Sequence, residues 1–423
     1  MPYFSVNDIP YLTDSCRYFE AIGDLPYPIW LDSGRPKSHF GRYDLISAQP
    51  SSLLQTRGAM TTIRENGREA KSTLDPFDLI AERLNSNCEQ APRDLPFCGG
   101  AMGYFSYDLG RRIETLPEIA RRDINLPDMH LGIYDWAIVQ DHQQQHAWLI
   151  CQPTCAPQRQ QDLLKRCQSA AKENNNNPRK SFNINDFKGL IDVNTYKDAI
   201  AKIHHYIKQG DCYQVNFTQR FSADFEGDTY SAYKHLRTLL PSPFSAYMGL
   251  DEDAIMSFSP ERFIQVSGRH VESKPIKGTM PRDDNPYLDQ RNAESLQDSG
   301  KDRAENLMIV DLLRNDLSKN CELGSVRVPS LFALESYPNV HHLVSTVTGT
   351  LKRDRTPLNL LRDSFPGGSI TGAPKLRAME IIEELEPTRR SLYCGSIGYI
   401  SANGNMDTNI AIRTLVKSDS KVH

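Results

Sequence analysis

Strand-like and helical runs do not alternate one for one along this chain, and that order excludes a doubly wound parallel sheet, which needs a crossover helix after nearly every strand. Short alternating segments such as Ala147-Trp148-Leu149-Ile150-Cys151 are separated by Pro and Gly over the first part, to about residue 165. Later strand-like runs follow one another through turns. The fold class implied is α+β, built around antiparallel sheets.

Helices are legible where apolar residues recur at helical spacing. Tyr196, Ala199, Ile200, Ile203 and Ile207 predict one that stops at Gly210, a residue suited to a left-handed cap. A second is predicted from about Lys301 to Leu317. A third is opened by Pro374 and closed before Pro387, with Ala378, Ile381, Ile382 and Leu385 on one face. The run from Cys212 to Phe221 alternates like a strand, and so does the run from Asn405 to Leu415. The segment from Ala170 to Asp186 includes four consecutive asparagines and cannot bury an apolar face. It is predicted to be a surface connection, dividing the chain into 1–170, a polar linker 171–190, and 191–423.

With 39% hydrophobic residues in 423, the chain can bury a large core. Its formal net charge of -4 leaves no basic footprint for nucleic acid or a membrane surface, so an anionic partner has to be bound locally. The N-terminus lacks the basic start and apolar stretch of a signal peptide, and no apolar run is long enough to span a bilayer; a cytoplasmic location is expected. The nine cysteines are odd in number and widely spaced, which favours reduced thiols, the close pair Cys151 and Cys155 included.

Four places can carry chemistry. A hairpin is predicted from Ser257 through a Gly268 turn to Pro275-Ile276-Lys277-Gly278-Thr279, and it would bring Glu261 near Lys277. Such a pair serves as proton donor and amine nucleophile when burial lowers the lysine pKa, or else as a cross-strand salt bridge. The glycine-rich run Ser364 to Lys375 leads into a helix and can offer backbone N–H groups to an anion, or be a plain turn. It departs from a P-loop, because Ala373 and Pro374 stand where Lys and Ser or Thr belong. Asp302 and Glu305 share a helical face that suits magnesium or is merely solvated. Arg413, in an otherwise apolar segment, calls for an anion or a structural carboxylate. A lone pair such as His341-His342 is more often structural than catalytic.

The segments SPERF, PIKGTMPR, KDRAENLMIVDLLRND, SFPGGSITGAPK, CGSIGYIS and GNMDTNIAIRTL occur in the order seen in the chorismate-utilizing enzymes, specifically the anthranilate synthase and aminodeoxychorismate synthase branch. The resemblance is close from about Tyr196 to Leu415 and looser through WLDSGRPKSHFGRYDL and GGAMGYFSYDLGR. It implies large antiparallel sheets in a sandwich with helices. It also implies amination of chorismate, with a magnesium cofactor and ammonia from a glutamine amidotransferase partner.

By resemblance, Glu261, Lys277 and His342 are catalytic, and Glu305 is a magnesium ligand. Gly278 and Thr279 help hold the ring carboxylate, Gly368 is a further substrate contact, and Tyr393 with Arg413 holds the enolpyruvyl carboxylate. The middle residue of PIKGT separates the activities within the branch: alanine in anthranilate synthases, lysine in aminodeoxychorismate synthases. Lys277 therefore implies 4-amino-4-deoxychorismate as product through a covalent intermediate. The alternatives are an anthranilate synthase component I or a non-catalytic module. Related enzymes also hold tryptophan, and the matching positions are Ser33, Phe40, Gly41, Arg42, Tyr43, Pro243, Phe244 and Ser245; Phe40 and Tyr43 could equally be core aromatics. The family pattern continues past the arginine segment into a glycine-rich stretch and a final helix with another magnesium carboxylate. Ending at His423, the chain is expected to lack that ligand, to leave the adjacent strand without a pairing partner, and to be unstable and inactive.

Overall fold

Strands such as Gly100–Phe105 and Met129–Tyr134 are buried at every position, as in strands covered on both faces. The computed structural model of the chain describes residues 4–84, 91–92, 94–172 and 180–423. Among these, the strands form two 12-stranded sheets and one two-stranded ribbon. The pairings within them are antiparallel.

The first sheet runs from Ser5–Ile9 through His146–Cys151, Trp136–Asp141, Tyr43–Ser47 and Ile29–Asp32 to Phe244–Gly249, Ala254–Ser259 and Thr414–Ser418. The second carries, in order, Ile276–Pro281, Val340–Thr350, His270–Lys274, Arg262–Ser267, Met406–Asn409, Ser396–Ser401 and Gly100–Phe105.

Side-chain alternation explains the layering. Leu45, Val139 and Met248 of the first sheet meet Met102, Tyr104 and Ile397 of the second in a shared core. Their sequence neighbours Ile46, Ile138 and Tyr247 point the other way, into a cluster with Phe19, Leu163 and Tyr233 from three helices. On the outer face of the second sheet, Phe105, Leu131 and Phe263 cluster with Ile309 and Leu313 of the helix Gly300–Ser318 and with Leu361 of Pro357–Ser364. Each such side chain contributes about 1.5–3 kcal/mol by leaving water. The result is a sheet sandwich with helices outside it, the predicted class.

Residues before and after the polar segment contribute strands to both sheets, so the predicted boundary orders the chain without dividing the core. Asn174 to Asn177 lie outside the described residues. Cys151 and Cys155 are buried free thiols.

The helix Val193–Gln209 ends as predicted at Gly210, whose φ of 82° lets its N–H reach the carbonyls of Tyr206 and Ile207. Gly300–Ser318 and Lys375–Leu385 are also where the sequence places them, the latter with Pro374 at its N-cap.

Two predicted strands are broken. Gln214–Val215 of the 212–221 run pairs with Gly372–Ala373, and a separate, longer strand starts only at the end of the run, at Phe221. The backbone between them is satisfied elsewhere: Asn216 N–H donates to Thr371 O and Thr218 N–H to the Glu386 carboxylate. The 405–415 run is also split, into Met406–Asn409 in the second sheet and Thr414–Ser418 in the first. Thr414–Ser418 is paired on both sides, by Ala254–Ser259 and Lys421–Val422, contrary to the expectation of a missing partner.

Candidate active site

The chain passes between the two sheets at Pro260-Glu261 and again at 410–413, and these crossings lie side by side. Ile410 N–H donates to Glu261 O at 3.0 Å, Phe258 N–H to Arg413 O at 3.0 Å, and the Ser259 hydroxyl to Ile410 O at 2.6 Å. Arg413 takes a φ of 49°, a left-handed conformation an arginine rarely adopts, so the crossing replaces the predicted strand there. The two crossings put Glu261 and Arg413 on the wall of one cavity of about 310 Å³, lined also by Lys277, Thr279, His342, Ser369, Tyr393 and Asn216.

The predicted Gly268 hairpin is present as Arg262–Ser267 paired with His270–Lys274. Glu261 lies just outside it, and Lys277 lies on Ile276–Pro281, which pairs with Val340–Thr350. The two residues still face each other across the cavity. Glu261 is 4% exposed, and burial raises its carboxyl pKa against the opposing pull of the Ser369 hydroxyl, the Lys277 charge and the Ile276 N–H. Among the described residues the pair forms no salt bridge; Lys277 Nζ donates to Ser369 O at 2.6 Å instead.

His342 lies near the start of Val340–Thr350, its Nδ1 2.9 Å from the Thr279 hydroxyl. Its Nε2 is buried without a hydrogen-bond partner, an arrangement that a bound polar group would satisfy. Burial, with the Arg413 charge, lowers its pKa to about 4, so the ring is neutral at physiological pH. Arg413 makes no ion pair among the described residues, and desolvation pulls its pKa down. A partly desolvated guanidinium without an ion pair, beside a neutral imidazole and a buried carboxyl, favours an anionic ligand.

Gly278 adopts a φ of 90°, and a Cβ there would come within 2.9 Å of Leu296 and 3.0 Å of Asp302, so the strand packs directly on the helix bearing Asp302 and Glu305. Gly368 sits behind the cavity wall, where a Cβ would lie 2.6 Å from Leu312. Its neighbours Ser369 and Ile370 line the cavity. Glu305 is 33% exposed at its side chain and is paired only loosely, 3.8 Å from the exposed Lys301. Among the described residues no group of three His, Cys, Asp or Glu could hold a metal.

A second cavity, of about 360 Å³, gathers Phe40, Gly41, Arg42, Tyr43, Pro243, Phe244 and Ser245 between the sheets. Ser33 is packed against Gly41, where a Cβ would clash at 2.3 Å, and its buried hydroxyl has no hydrogen-bond partner. Phe40 is not a core aromatic: it is 46% exposed, with its ring 4.2 Å from that of Tyr337. Tyr337 in turn meets the His342 ring edge-on at 5.4 Å. Sequence reasoning missed Tyr337, Asn216 and the individual importance of Ser369. Only Ser369 had a signal, its place in the glycine-rich run.

A family model described as chorismate binding enzyme matches residues 27–423. The chain belongs to the chorismate binding enzyme family. Within this family it is 46% identical to aminodeoxychorismate synthase component 1 of Klebsiella aerogenes over 412 residues, covering 96% of this chain and 89% of that one. It is 44% identical to the protein of that name from Escherichia coli (strain K12), covering 96% and 88%. Anthranilate synthase component I from Streptococcus pneumoniae TIGR4 has the same chorismate binding enzyme fold, with a TM-score of 0.81 at 30% identity, over 90% of this chain and 86% of that one.

Proposed function

We propose that the chain is the chorismate-aminating component of an aminodeoxychorismate synthase, making 4-amino-4-deoxychorismate, the precursor of p-aminobenzoate, from chorismate and ammonia. The observation that carries the reading is the placement of Lys277: a lysine in a cavity with a buried acid, yet bonded to a carbonyl and not to that acid. The names of the relatives support it, since those at 46% and 44% identity are component 1 of this enzyme.

In this reading the neutral Lys277 amine adds to ring C2 while the double bond shifts and the C4–O bond breaks. Glu261 gives its proton to the departing hydroxyl, which leaves as water. Ammonia then adds at C4, the C2–N bond breaks, and Lys277 is released. Burial raises the Glu261 pKa and so favours the protonated form that this step requires. Arg413 and Tyr393 grip the enolpyruvyl carboxylate, Gly278 and Thr279 the ring carboxylate, with Gly368 in support, and the free His342 Nε2 meets the ring region.

Glu305 suits magnesium, a cation that needs only one or two carboxylates and keeps its waters, and its partial exposure and weak ion pair leave its oxygens available. The ion when bound would supply positive charge against the substrate carboxylate. The component 1 name of the relatives supports a second component, for which a cytoplasmic glutamine amidotransferase supplying ammonia is the reading. The second cavity is proposed to hold tryptophan, supported by the convergence on it of the predicted positions 40–43 and 243–245, Ser33 lying outside its lining; calorimetry with L-tryptophan tests it, and no heat at millimolar ligand removes it.

The deciding experiment incubates the chain with chorismate, magnesium and ammonium, then adds a lyase that releases p-aminobenzoate. p-Aminobenzoate is expected from the native chain and none from Lys277→Ala. Anthranilate fluorescence before the lyase is added would overturn the assignment.

A further inference from the structure

A lysine and a glutamate left to themselves in a cavity form an ion pair, with the proton on the amine. The reaction proposed above needs the opposite distribution, an unprotonated amine and a protonated acid, so something has to keep the two apart and oriented. Ser369 is placed to do so. Its backbone carbonyl accepts from Lys277 Nζ at 2.6 Å and also from Asn216 Nδ2 at 3.1 Å. Its hydroxyl belongs to the same cavity wall as the Glu261 carboxyl and opposes the rise that burial gives that carboxyl's pKa. The residue is 5% exposed and sits in a short 3-10 turn, Gly368–Ile370. That turn is held from behind by Arg390, which donates to Ile370 O at 2.9 Å, and by the Thr371 hydroxyl, which donates to Gly367 O at 3.1 Å.

We infer that Ser369 is the positioning residue of the amination chemistry, its two oxygens holding Lys277 and Glu261 separately so that neither neutralises the other as an ion pair. A Lys277 N–H spent on the carbonyl fixes where the nitrogen lone pair points. A hydroxyl beside Glu261 orients the carboxyl from which the proton is delivered when it engages it in the reacting complex. Asn216 braces the shared carbonyl, which gives the residue that interrupts the predicted 212–221 strand a use.

The inference rests on the amination reading, and the test separates the two. Ser369→Ala and Ser369→Thr are compared with the native chain for steady-state formation of aminodeoxychorismate across pH, with chorismate affinity and melting temperature measured alongside. If the native chain makes no aminodeoxychorismate, the reading of the function fails. If it does, Ser369→Ala should lower kcat by about 10- to 100-fold while KM stays within about twofold, and Ser369→Thr, which keeps the hydroxyl, should recover most of it. The hydroxyl stabilises the charged form of Glu261, so removing it moves the alkaline limb of the profile to higher pH. The other ionisable groups around Glu261 are Lys277, Cys394, His342, Tyr393 and Arg413, and all are retained in both variants. A drop in kcat with an unmoved limb would assign Ser369 a merely structural role, and unchanged kcat and profile in Ser369→Ala would overturn the inference.

Discussion

His342 shows how burial sets the form of a titratable group in the cavity. With a pKa lowered to about 4 it stays neutral above pH 5, so the rate profile should have no inflection near the usual histidine value. His342→Gln is expected to leave the shape of the profile between pH 5 and 8 unchanged and to lower kcat/KM by about 100-fold, through loss of a positioned donor, as pH-dependent initial rates would show. An inflection near pH 6.5 that vanishes in the variant would show the imidazole titrating in the working range. Lys277 and Glu261 were legible from the sequence as a pair, because each stands in a dense run of distinctive residues. Their relation was not. A salt bridge and a nucleophile beside an acid have the same sequence; what distinguishes them is a serine nearly a hundred positions later whose carbonyl intervenes. Tyr337 was illegible for a similar reason, since its ring bridges its near neighbour His342 to Phe40, which comes from a distant and unrelated segment.

Periodicity located the helices well and the strands less well. Helices announce themselves through local spacing and caps, as Gly210 does, whereas the 405–415 run alternates smoothly through a crossing between sheets that only tertiary structure imposes. The helix Gly300–Ser318 is pinned to the strand bearing His342 by one buried side chain: Asn306 accepts from the Ser345 hydroxyl at 2.5 Å and donates to Leu343 O at 3.3 Å. Asn306→Leu removes the acceptor of that hydroxyl, which keeps only the Phe332 N–H donated to its oxygen, and a donor to the carbonyl, at a cost of about 1–3 kcal/mol measurable by urea unfolding. If Glu305, the adjacent residue, holds magnesium as proposed, activation of the variant should also require more metal; an unchanged magnesium titration would show that the helix is held by packing alone. By contrast Gly210→Ala meets no neighbour within 4 Å, so it should cost about 1 kcal/mol from backbone strain and leave activity intact.

At the scale of the molecule, two sheets with both faces covered trap ionisable groups far from the site. His130 is 3% exposed, bonded to Gln55 at 3.1 Å and stacked on Tyr104, and desolvation lowers its pKa from 6.5 to about 4. The unfolded chain binds that proton as pH falls through 6.5 and the folded chain only near 4, so His130 makes stability rise with pH across that window and costs nothing above it. His130→Gln should flatten this part of the curve, by about 3 kcal/mol at most, and raise the melting temperature at pH 4.5 relative to its value at pH 7. The α+β class was legible because strands and helices fail to alternate, and the sandwich through the resemblance of the motifs. The interleaving of the two halves was not, since strand order across a sheet leaves no trace in local composition.

The paired crossings at Glu261 and Arg413 also bear on how the site comes into being during folding. Each crossing is defined only when the strands before and after it have found different sheets, and the two are hydrogen-bonded to each other across a long sequence interval. Contacts of such high sequence separation form late. A half-made chain leaving the ribosome can bury much of its first sheet yet hold no cavity for the substrate, so binding competence should arrive in a single late step, with the docking of Thr414–Ser418.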